Sequence, residues 1–341
     1  MNVARRISAL AELGRRLSQP DEFLEALMKR TEFNNGWFTL EAQRRALAAV
    51  RDSFLREDHL RKWVSAYPGL AAGAEDSPRT VGLILAGNIP LVGMHDLVAV
   101  FVAGHRSQIK LSGKDPYVLP YLLRLLGEID PDTGAYFRIV EHLAAFDAVI
   151  ATGSNNSSRY FEAYFGKYPH IIRRGRNGVA VLTGEESAEE LRLLGDDIFS
   201  YYGLGCRNVS KLFVPTGYDF TLLLDTLHEW KQLQNHTKWK NNFDYNFALL
   251  TLNKEAFHYN GAIILREDEG MASHIAGLYY ETYDDPGDVA QVLRSRREEI
   301  QVIVARDGVL DLPTLPFGRA QHPGLTDYAD GVDTLAFLTS L

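Results

Sequence analysis

Residues 81–103 read VGLILAGNIPLVGMHDLVAVFVA, an apolar run, a turn that contains Gly87, Asn88 and Pro90, and a second apolar run. The first run is short and aliphatic, which predicts a buried strand over 81–86. The second run is long enough for a helix, which we expect over 91–103. A strand that leads directly into an apolar helix is typical of a parallel sheet with helices on its faces.

The same alternation extends along the chain on both sides of this stretch. Residues 1–65 have apolar side chains at helical spacing and predict N-terminal helices. Downstream, short apolar runs predict strands at 107–111, 148–151, 171–172, 179–182, 211–214, 246–251, 261–265, 276–281, 300–304 and near 334–338. Helical patterns separate many of them, at 116–127, 157–165, 187–200 and 218–232. The chain is therefore predicted to be an α/β protein.

Breaks in this pattern divide the chain into four predicted segments. A Pro/Gly/Ala-rich stretch at 68–79 marks a linker, because such residues interrupt regular structure. We predict a helical segment over 1–75 and two α/β domains over 76–184 and 185–312. Residues 313–341 are predicted to be a C-terminal loop and a strand that returns to the domain interface.

Composition excludes several classes of protein. The 341 residues are 46% hydrophobic and 23% charged, as in an ordinary globular protein of two domains. A formal net charge of −8 offers no general attraction for nucleic acid, so we expect no nucleic-acid partner. We find no apolar run of membrane-spanning length and no signal-peptide pattern, and we expect no transmembrane segment and a cytoplasmic location.

The single cysteine, Cys206, lies in the sequence GLGCR at 203–207. One thiol makes neither an internal disulfide nor a multi-thiolate metal site, and we predict no metal. A cysteine in a glycine-rich loop beside Arg207 is a candidate nucleophile, because nearby positive charge favours the thiolate. A buried structural cysteine is the alternative.

Polar residues follow the predicted strands, at the edge of a parallel sheet where ligands bind. Lys110, Ser112 and Lys114 follow the second strand and are candidates to contact a ribose or phosphate, although exposed lysines are the alternative. Arg173, Arg174 and Arg176 form either a phosphate clamp or a solvated loop. The chain contains neither a Walker loop nor a G-x-G-x-x-G sequence.

Five segments, taken in order, resemble the aldehyde dehydrogenase superfamily, and more closely its acyl-CoA reductase branch, the LuxC-type fatty acid reductases. These segments are VGLILAGNIP (81–90), AGHRSQIKLS (103–112), IATGS (150–154), GLGC (203–206) and PFG (316–318). The resemblance covers about residues 80–338, and the N-terminal 75 residues match less clearly. It implies an aldehyde dehydrogenase-like fold in which 76–184 is a Rossmann-type nicotinamide cofactor domain and 185–312 is an α/β catalytic domain.

The resemblance also implies roles for particular residues. Cys206 is expected to attack a thioester carbonyl, and Asn88 is expected to donate its side-chain amide to the oxyanion together with the Cys206 backbone N–H. Lys110 is expected to hold the adenine-side ribose. The expected cofactor-binding residues are Lys110, Ser112, Lys114, Gly153, Ser154 and Phe317.

Two departures from the family pattern are informative. Hydrolytic members carry a glutamate in a Glu-Leu-Gly-Gly segment, whereas the corresponding stretch here is Arg174-Gly-Arg-Asn-Gly178, so hydrolysis of a thioacyl enzyme should be slow. The segment after Lys110 lacks the glutamate of NAD users and has Lys114, which predicts NADPH rather than NADH. Glu267 or Glu269 is the candidate for the family's later glutamate.

These observations predict an NAD(P)H-dependent reductase that converts a long-chain acyl-CoA, or an acyl carrier protein thioester, to the aldehyde. Two alternatives remain open, a cysteine-dependent acyltransferase or thioesterase, and a subunit of a fatty acid reductase complex. By analogy with the superfamily we expect a homo-oligomer.

Overall fold

The computed structural model describes residues 1–71 and 78–341. These residues form two compact units. The first unit comprises Met1–Gly175 and Pro323–Leu341, and the second unit comprises Arg176–His322. The domain boundary predicted between residues 75 and 76 lies outside the described residues.

The first unit begins with helices, as the spacing of apolar residues predicts. Side chains of Asn2, Asp21 and Thr39 accept hydrogen bonds from backbone N–H groups in the first turns of the first three, which stabilises those helix starts. The helices are α1 (Val3–Arg16), α2 (Glu22–Asn34), α3 (Leu40–Phe54), α4 (Glu57–Ser65) and α5 (Pro68–Ala71). Their apolar faces belong to the same hydrophobic core as the sheet of this unit.

The sheet of the first unit has five parallel strands in the order β3-β2-β1-β4-β5. The strands are β1 (Thr80–Ile84), β2 (Arg106–Lys110), β3 (Phe137–Ile139), β4 (Ala148–Thr152) and β5 (His170–Arg173). Helices α6 (Met94–Ala103), α7 (Val118–Ile129) and α8 (Asn155–Phe165) alternate with them. This strand order is that of a doubly wound fold, which binds ligands outside the carboxyl ends of its strands.

The second unit has a six-stranded sheet in the order β11-β6-β7-β10-β9-β8. Every pair is parallel except the last, in which β8 runs antiparallel to β9. The strands are β6 (Asn177–Val181), β7 (Val209–Pro215), β8 (His258–Tyr259), β9 (Ile264–Glu267), β10 (Gly277–Tyr283) and β11 (Ile300–Ala305). The helices are α9 (Ala188–Phe199), α10 (Thr221–Leu227), α11 (Thr237–Asn253) and α12 (Pro286–Ser295).

Two strand predictions differ from the structure of the second unit. The strand predicted at 179–182 was assigned to the domain at 76–184, but β6 pairs with β7 and β11 in the second sheet. The strand predicted at 246–251 was wrong, because these residues lie in α11. Trp239, Phe243, Asn246 and Leu250 are buried on α11 at helical spacing, and that face decides the conformation.

The C-terminal segment also differs from the prediction. The strand predicted near 334–338 is a helix, α13 (Thr334–Thr339), which belongs to the first unit. The Asp333 side chain accepts a hydrogen bond from the Ala336 backbone N–H (2.8 Å) and caps the helix. Leu335 and Leu338 are three residues apart and both fully buried, so packing of one helical face overrides the strand preference of this short apolar run.

Candidate active site

The predicted site residues fall in both units. Asn88, Lys110, Ser112, Lys114, Gly153 and Ser154 belong to the first unit, and Cys206 and Phe317 belong to the second. In the first unit, Lys110 ends β2 and pairs in register with Ile84, which ends β1. Asn88 lies just after β1, and Gly153 and Ser154 follow β4, the other neighbour of β1. The structure therefore brings these residues to one edge of one sheet.

The turn after β1 packs closely against the turn after β2. A Cβ atom added to Gly87 would lie 2.1 Å from the Ser112 Oγ and 3.1 Å from the Lys114 Cβ. The Leu85 backbone N–H donates to the Lys110 carbonyl oxygen (3.1 Å). Glycine is therefore required at position 87, because any side chain there would separate the two turns that carry Asn88 and Ser112.

A buried carboxylate links the same two turns. Asp115 Oδ2 accepts a hydrogen bond from the Leu91 backbone N–H (3.0 Å), and Leu91 has a left-handed φ of 57°. Burial raises the pKa of Asp115, and the bond from Leu91 opposes that rise. A pocket beside this link is lined mainly by apolar side chains, with Ser112 and Asp115 among its polar members.

The turn after β4 begins helix α8. The Ser154 Oγ accepts from the Ser157 backbone N–H (3.3 Å) and caps the helix. A Cβ atom on Gly153 would lie 2.8 Å from both the Ser157 Cβ and the Phe161 Cε2, so glycine permits this tight turn. A strand end, a tight turn and a helix N-terminus are the usual surroundings of a nucleotide phosphate.

In the second unit, Cys206 is half-buried in the loop between α9 and β7. The backbone upstream of it is strained, because Tyr201 and Tyr202 have φ values of 51° and 58°, whereas the φ of 69° at Gly203 is one that glycine adopts freely. Left-handed conformations are costly for residues with a side chain and persist where the surroundings impose them. Such strain is common at functional sites, and here it lies beside the candidate nucleophile.

The buried side chain of Asn208 holds the conformation of this loop through four hydrogen bonds. Its Oδ1 accepts from the Gly205 backbone N–H (2.8 Å). Its Nδ2 donates to the carbonyl oxygens of Asp197 (3.1 Å), Ile198 (3.2 Å) and Ser200 (2.8 Å). One amide thus closes the C-terminal end of α9 and fixes the residue that precedes Cys206.

Phe317 is buried, and the segment that follows it is bound to α9. The Asp197 carboxylate accepts from the backbone N–H groups of Gly318 (2.7 Å) and Ala320 (2.9 Å). The Arg207 Nε donates to the Ala320 carbonyl oxygen (2.5 Å). Burial raises the pKa of Asp197 to about 6, although the two backbone N–H donors act in the opposite direction.

Gly178, the last residue of the stretch 174–178 that the family resemblance singles out, contacts the Cys206 loop. The Gly178 backbone N–H donates to the Asn208 carbonyl oxygen (2.8 Å). A Cβ atom on Gly178 would lie 2.8 Å from the Arg207 carbonyl oxygen. Residues 174–178 contain no carboxylate, so this stretch places no general base next to the loop.

The three arginines near this stretch have partners within the protein. Arg173 is buried and forms an ion pair with Asp96, and its Nη2 donates to the Thr334 Oγ1 (2.9 Å). Arg174 lies 3.5 Å from a Glu162 carboxylate oxygen. Arg176 donates to the Arg297 carbonyl oxygen (3.2 Å). A phosphate clamp that includes Arg173 is therefore a wrong interpretation, because its guanidinium is occupied in the core.

Glu267 and Glu269, the candidates for the family's later glutamate, are both exposed in the second unit, and their role stays a prediction. In the part of the chain that the structure describes, no group of three or more histidine, cysteine, aspartate or glutamate side chains could hold a metal ion. No helix among residues 1–71 and 78–341 is long and apolar enough to cross a membrane.

Three residues of this region were missed from the sequence, Asp115, Asp197 and Asn208. Asp197 gave one signal, because it lies between Leu194 and Ile198 on the buried side of α9. Asn208 occupies the place of the third glycine in a Gly203-x-Gly205-x-x-Asn208 spacing. Neither signal identifies the backbone groups that these side chains bind.

Comparison with known proteins gives the fold. No protein family model matches this sequence, and no curated protein matches it. Among solved structures, an oxidoreductase from Marinobacter aquaeolei has a TM-score of 0.67 at 14% identity, covering 95% of this chain and 79% of its own. Aldehyde dehydrogenase 21 from Physcomitrella patens, solved with the product succinate, has a TM-score of 0.66 at 12% identity, covering 93% and 78%.

An aldehyde dehydrogenase from Bacillus cereus, solved as an NAD⁺ complex, has a TM-score of 0.62 at 14% identity, covering 89% of this chain and 72% of its own. These likenesses show that the protein has an aldehyde dehydrogenase-like α/β fold. The fold class predicted from the sequence is therefore confirmed.

Proposed function

We propose that the protein is an NAD(P)H-dependent reductase of acyl thioesters that works through a thioacyl enzyme at Cys206. The observation that carries the proposal is the setting of Cys206, a half-buried cysteine at a strained turn in an aldehyde dehydrogenase-like fold. Its neighbours Gly205 and Arg207 are both held by hydrogen bonds. A nucleophile fixed in this way needs little reorganisation before it attacks.

In the proposed reaction, the Cys206 thiolate attacks the carbonyl carbon of the thioester. The oxyanion accepts hydrogen bonds from the Cys206 backbone N–H and from the Asn88 side-chain amide, the role that the family resemblance gives to Asn88. The departing thiolate of CoA or of a carrier protein leaves an acyl group on Cys206. After reduction, the Cys206 thiolate leaves in turn and the aldehyde is released.

The absence of a carboxylate from residues 174–178 supports reduction over hydrolysis. Attack of water on a thioacyl enzyme needs a general base within hydrogen-bond reach. The stretch that carries this base in hydrolytic family members is joined to the Cys206 loop here by the Gly178–Asn208 hydrogen bond. The thioacyl enzyme should therefore last long enough to be reduced.

Three features of the first unit support binding of a nicotinamide dinucleotide. The carboxyl ends of β1, β2 and β4 adjoin, Gly87 allows the first two turns to approach, and Ser154 begins a helix after the third. Lys110, Ser112, Lys114, Gly153 and Ser154 are proposed to hold the dinucleotide in this unit, and Phe317 keeps the role of a cofactor contact that the family resemblance gives it. When bound, the reduced nicotinamide supplies the hydride that the reduction consumes.

We propose NADPH as the preferred cofactor. Lys114 is exposed and its backbone N–H donates to the Ser112 Oγ (3.3 Å), so both residues belong to one turn after β2. Residues 110–114 contain two cations and no carboxylate, and the Asp115 carboxylate that follows is buried and bound to Leu91, so this turn favours a 2′-phosphate over a 2′-hydroxyl. We propose a long-chain acyl-CoA or a carrier-protein thioester as the acyl donor. We also propose that the protein is cytoplasmic and forms a homo-oligomer.

The test is oxidation of NADPH or NADH by the purified protein with acyl-CoAs of increasing chain length. We expect thioester-dependent oxidation, faster with NADPH, that the Cys206→Ala substitution lowers by at least about a thousandfold. Thermal unfolding of the variant shows whether it keeps the fold.

Release of CoA that requires Cys206 but proceeds without nicotinamide oxidation would instead identify an acyltransferase or thioesterase. Activity that appears only after partner proteins are added would identify a subunit of a reductase complex. Full turnover by Cys206→Ala would overturn the proposed mechanism.

A further inference from the structure

We infer that Asp197 is a positioning residue, whose carboxylate holds the segment after Phe317 against the helix from which the Cys206 loop begins. The inference rests on the proposed function, because it gives Cys206 and Phe317 their roles. It concerns contacts inside the second unit.

The side chain of Asp197 uses both oxygens on one backbone segment. Its Oδ2 accepts from the Gly318 N–H (2.7 Å) and its Oδ1 accepts from the Ala320 N–H (2.9 Å), while the side chain is fully buried. Two donors that converge on two oxygens require a carboxylate, since an asparagine would direct its own NH₂ group at one of them. Bonds to an ionised acceptor are also stronger than neutral ones.

The backbone of Asp197 takes part in fixing the nucleophile loop. Its carbonyl oxygen accepts from the Asn208 Nδ2 (3.1 Å), and the Asn208 Oδ1 accepts from the Gly205 N–H (2.8 Å). One residue therefore binds the Phe317 segment through its side chain and the residue before Cys206 through Asn208.

Arg207, on the other side of Cys206, is also hydrogen-bonded to the segment after Phe317. The Arg207 Nε donates to the carbonyl oxygen of Ala320 (2.5 Å), whose own N–H donates to Asp197. Cys206 thus lies between two residues that are both connected to the segment 318–320. This arrangement sets the distance between the nucleophile loop and the proposed cofactor contact at Phe317.

Packing of the core does not account for an aspartate at position 197. Asp197 lies between Leu194 and Ile198 on the buried face of α9, where an aliphatic side chain would add to the core. Burial of a carboxylate costs free energy even when it is hydrogen-bonded. A charged group at this point is explained by the two backbone donors that it must hold.

The test uses Asp197→Asn in the full-length protein, with Asp196→Asn as the matched control one position earlier on α9. We expect Asp197→Asn to raise the hydrogen-exchange rates of the Gly318 and Ala320 amides at least about tenfold, because each of the two loses a charged acceptor. The control should leave exchange unchanged. This readout does not depend on activity.

The catalytic readout separates two steps. In Asp197→Asn we expect CoA release from an acyl-CoA in a single turnover to stay within about threefold of the wild type, whereas kcat/KM for NADPH falls at least about tenfold. A residue that only stabilises the fold would lower the amount of active protein without this difference between steps.

Arg207→Gln is the second variant, in case Asp197→Asn does not fold, and it should raise exchange at 318–320 in the same direction. If both Asp197→Asn and Arg207→Gln fold and exchange at these amides is unchanged in each, the inference is overturned, whatever the activity of the variants. Absence of NADPH oxidation by the wild type, with faster exchange in Asp197→Asn, would overturn the proposed function and leave the role in loop positioning supported.

Discussion

The buried carboxylate of Asp115 accepts a hydrogen bond of 3.0 Å from the backbone N–H of Leu91, which has a left-handed φ of 57°. This bond joins the turn that carries Lys110, Ser112 and Lys114 to the turn that carries Asn88. The two turns are separate in sequence, and both are proposed to act in binding or catalysis. Their relative position therefore depends in part on this side chain.

Replacement of Asp115 by alanine should lower the free energy of unfolding by about 1–3 kcal/mol, because the buried Leu91 N–H loses its acceptor. Asp115→Asn is the matched control, since it keeps an acceptor oxygen of the same shape and removes a charge that burial disfavours. Urea unfolding of both variants is the measurement. Equal losses in the two would show that charge, not the hydrogen bond, is what matters.

The raised pKa of Asp197 predicts a dependence of stability on pH. A carboxyl whose pKa is about 6 in the folded protein and 3.8 when unperturbed binds more protons in the folded state between these values. Stability should therefore fall as the pH rises through this window. Between pH 5 and pH 7.5 the wild type should lose roughly 1.4 kcal/mol relative to Asp197→Asn.

Unfolding by urea across this pH range, performed on wild type and Asp197→Asn in parallel, checks the sign. Other groups titrate in both proteins and cancel in the difference. A difference that stays constant across this range would show that Asp197 is already ionised at pH 5 and would contradict the prediction.

Gly87→Ala should destabilise the first unit by about 1–3 kcal/mol, because the new Cβ would lie 2.1 Å from the Ser112 Oγ. Gly113→Ala is the control, since a Cβ at that neighbouring position meets no atom within 4 Å. Thermal unfolding compares the two. Adding Ser112→Gly to Gly87→Ala should restore part of the loss, and no recovery would place the strain elsewhere.

The buried ion pair between Arg173 and Asp96 should matter for stability and not for phosphate binding. Arg173→Met removes the partner of a buried carboxylate, whose pKa the ion pair with Arg173 lowers against the effect of burial, and should cost about 3–5 kcal/mol. Arg174→Met, at an exposed neighbouring position, should cost less than about 0.5 kcal/mol. Chemical denaturation measures both, and similar small losses would contradict the assignment.

Lys114→Glu should reverse the cofactor preference that we propose. A carboxylate at this exposed position repels a 2′-phosphate, so the ratio of kcat/KM for NADPH to that for NADH should fall at least about tenfold. Lys62→Glu makes the same change of charge on α4 and serves as the control. An unchanged ratio in Lys114→Glu would remove Lys114 from the cofactor site.

The sequence predicted the first sheet well because its buried parallel strands are continuous aliphatic runs bounded by glycine turns. β1 and β4 are examples, and the polar residues that follow them were found with them, whereas β2 (RSQIK) has a single aliphatic residue. β3 was missed, because Phe137–Ile139 is short and mostly exposed and carries almost no pattern. α13 was mistaken for a strand, because the four-residue apolar run at 335–338 fits both conformations until its neighbours are known.

The supporting residues of the candidate site were beyond sequence reasoning for a different reason. Asp197 binds backbone groups 121 and 123 residues away, and Asp115 binds one 24 residues away. Bonds to backbone atoms place no constraint on the side chain of the partner, so no pattern of residue types records them. The nucleophile and the glycine turns were visible because their chemistry lies in the residue itself.

The first unit consists of two separate stretches of chain, and the second of these is synthesised after the whole of the second unit. Residues 323–341 bring α13 to this unit, where the Leu338 carbonyl oxygen lies 2.9 Å from the His105 Nε2 and Thr334 binds Arg173. On the ribosome, residues 176–322 emerge as one continuous stretch before the first unit has all its parts. The nascent chain is therefore expected to complete its second unit first, and removal of residues 323–341 should destabilise the first unit, whose other residues are synthesised earlier.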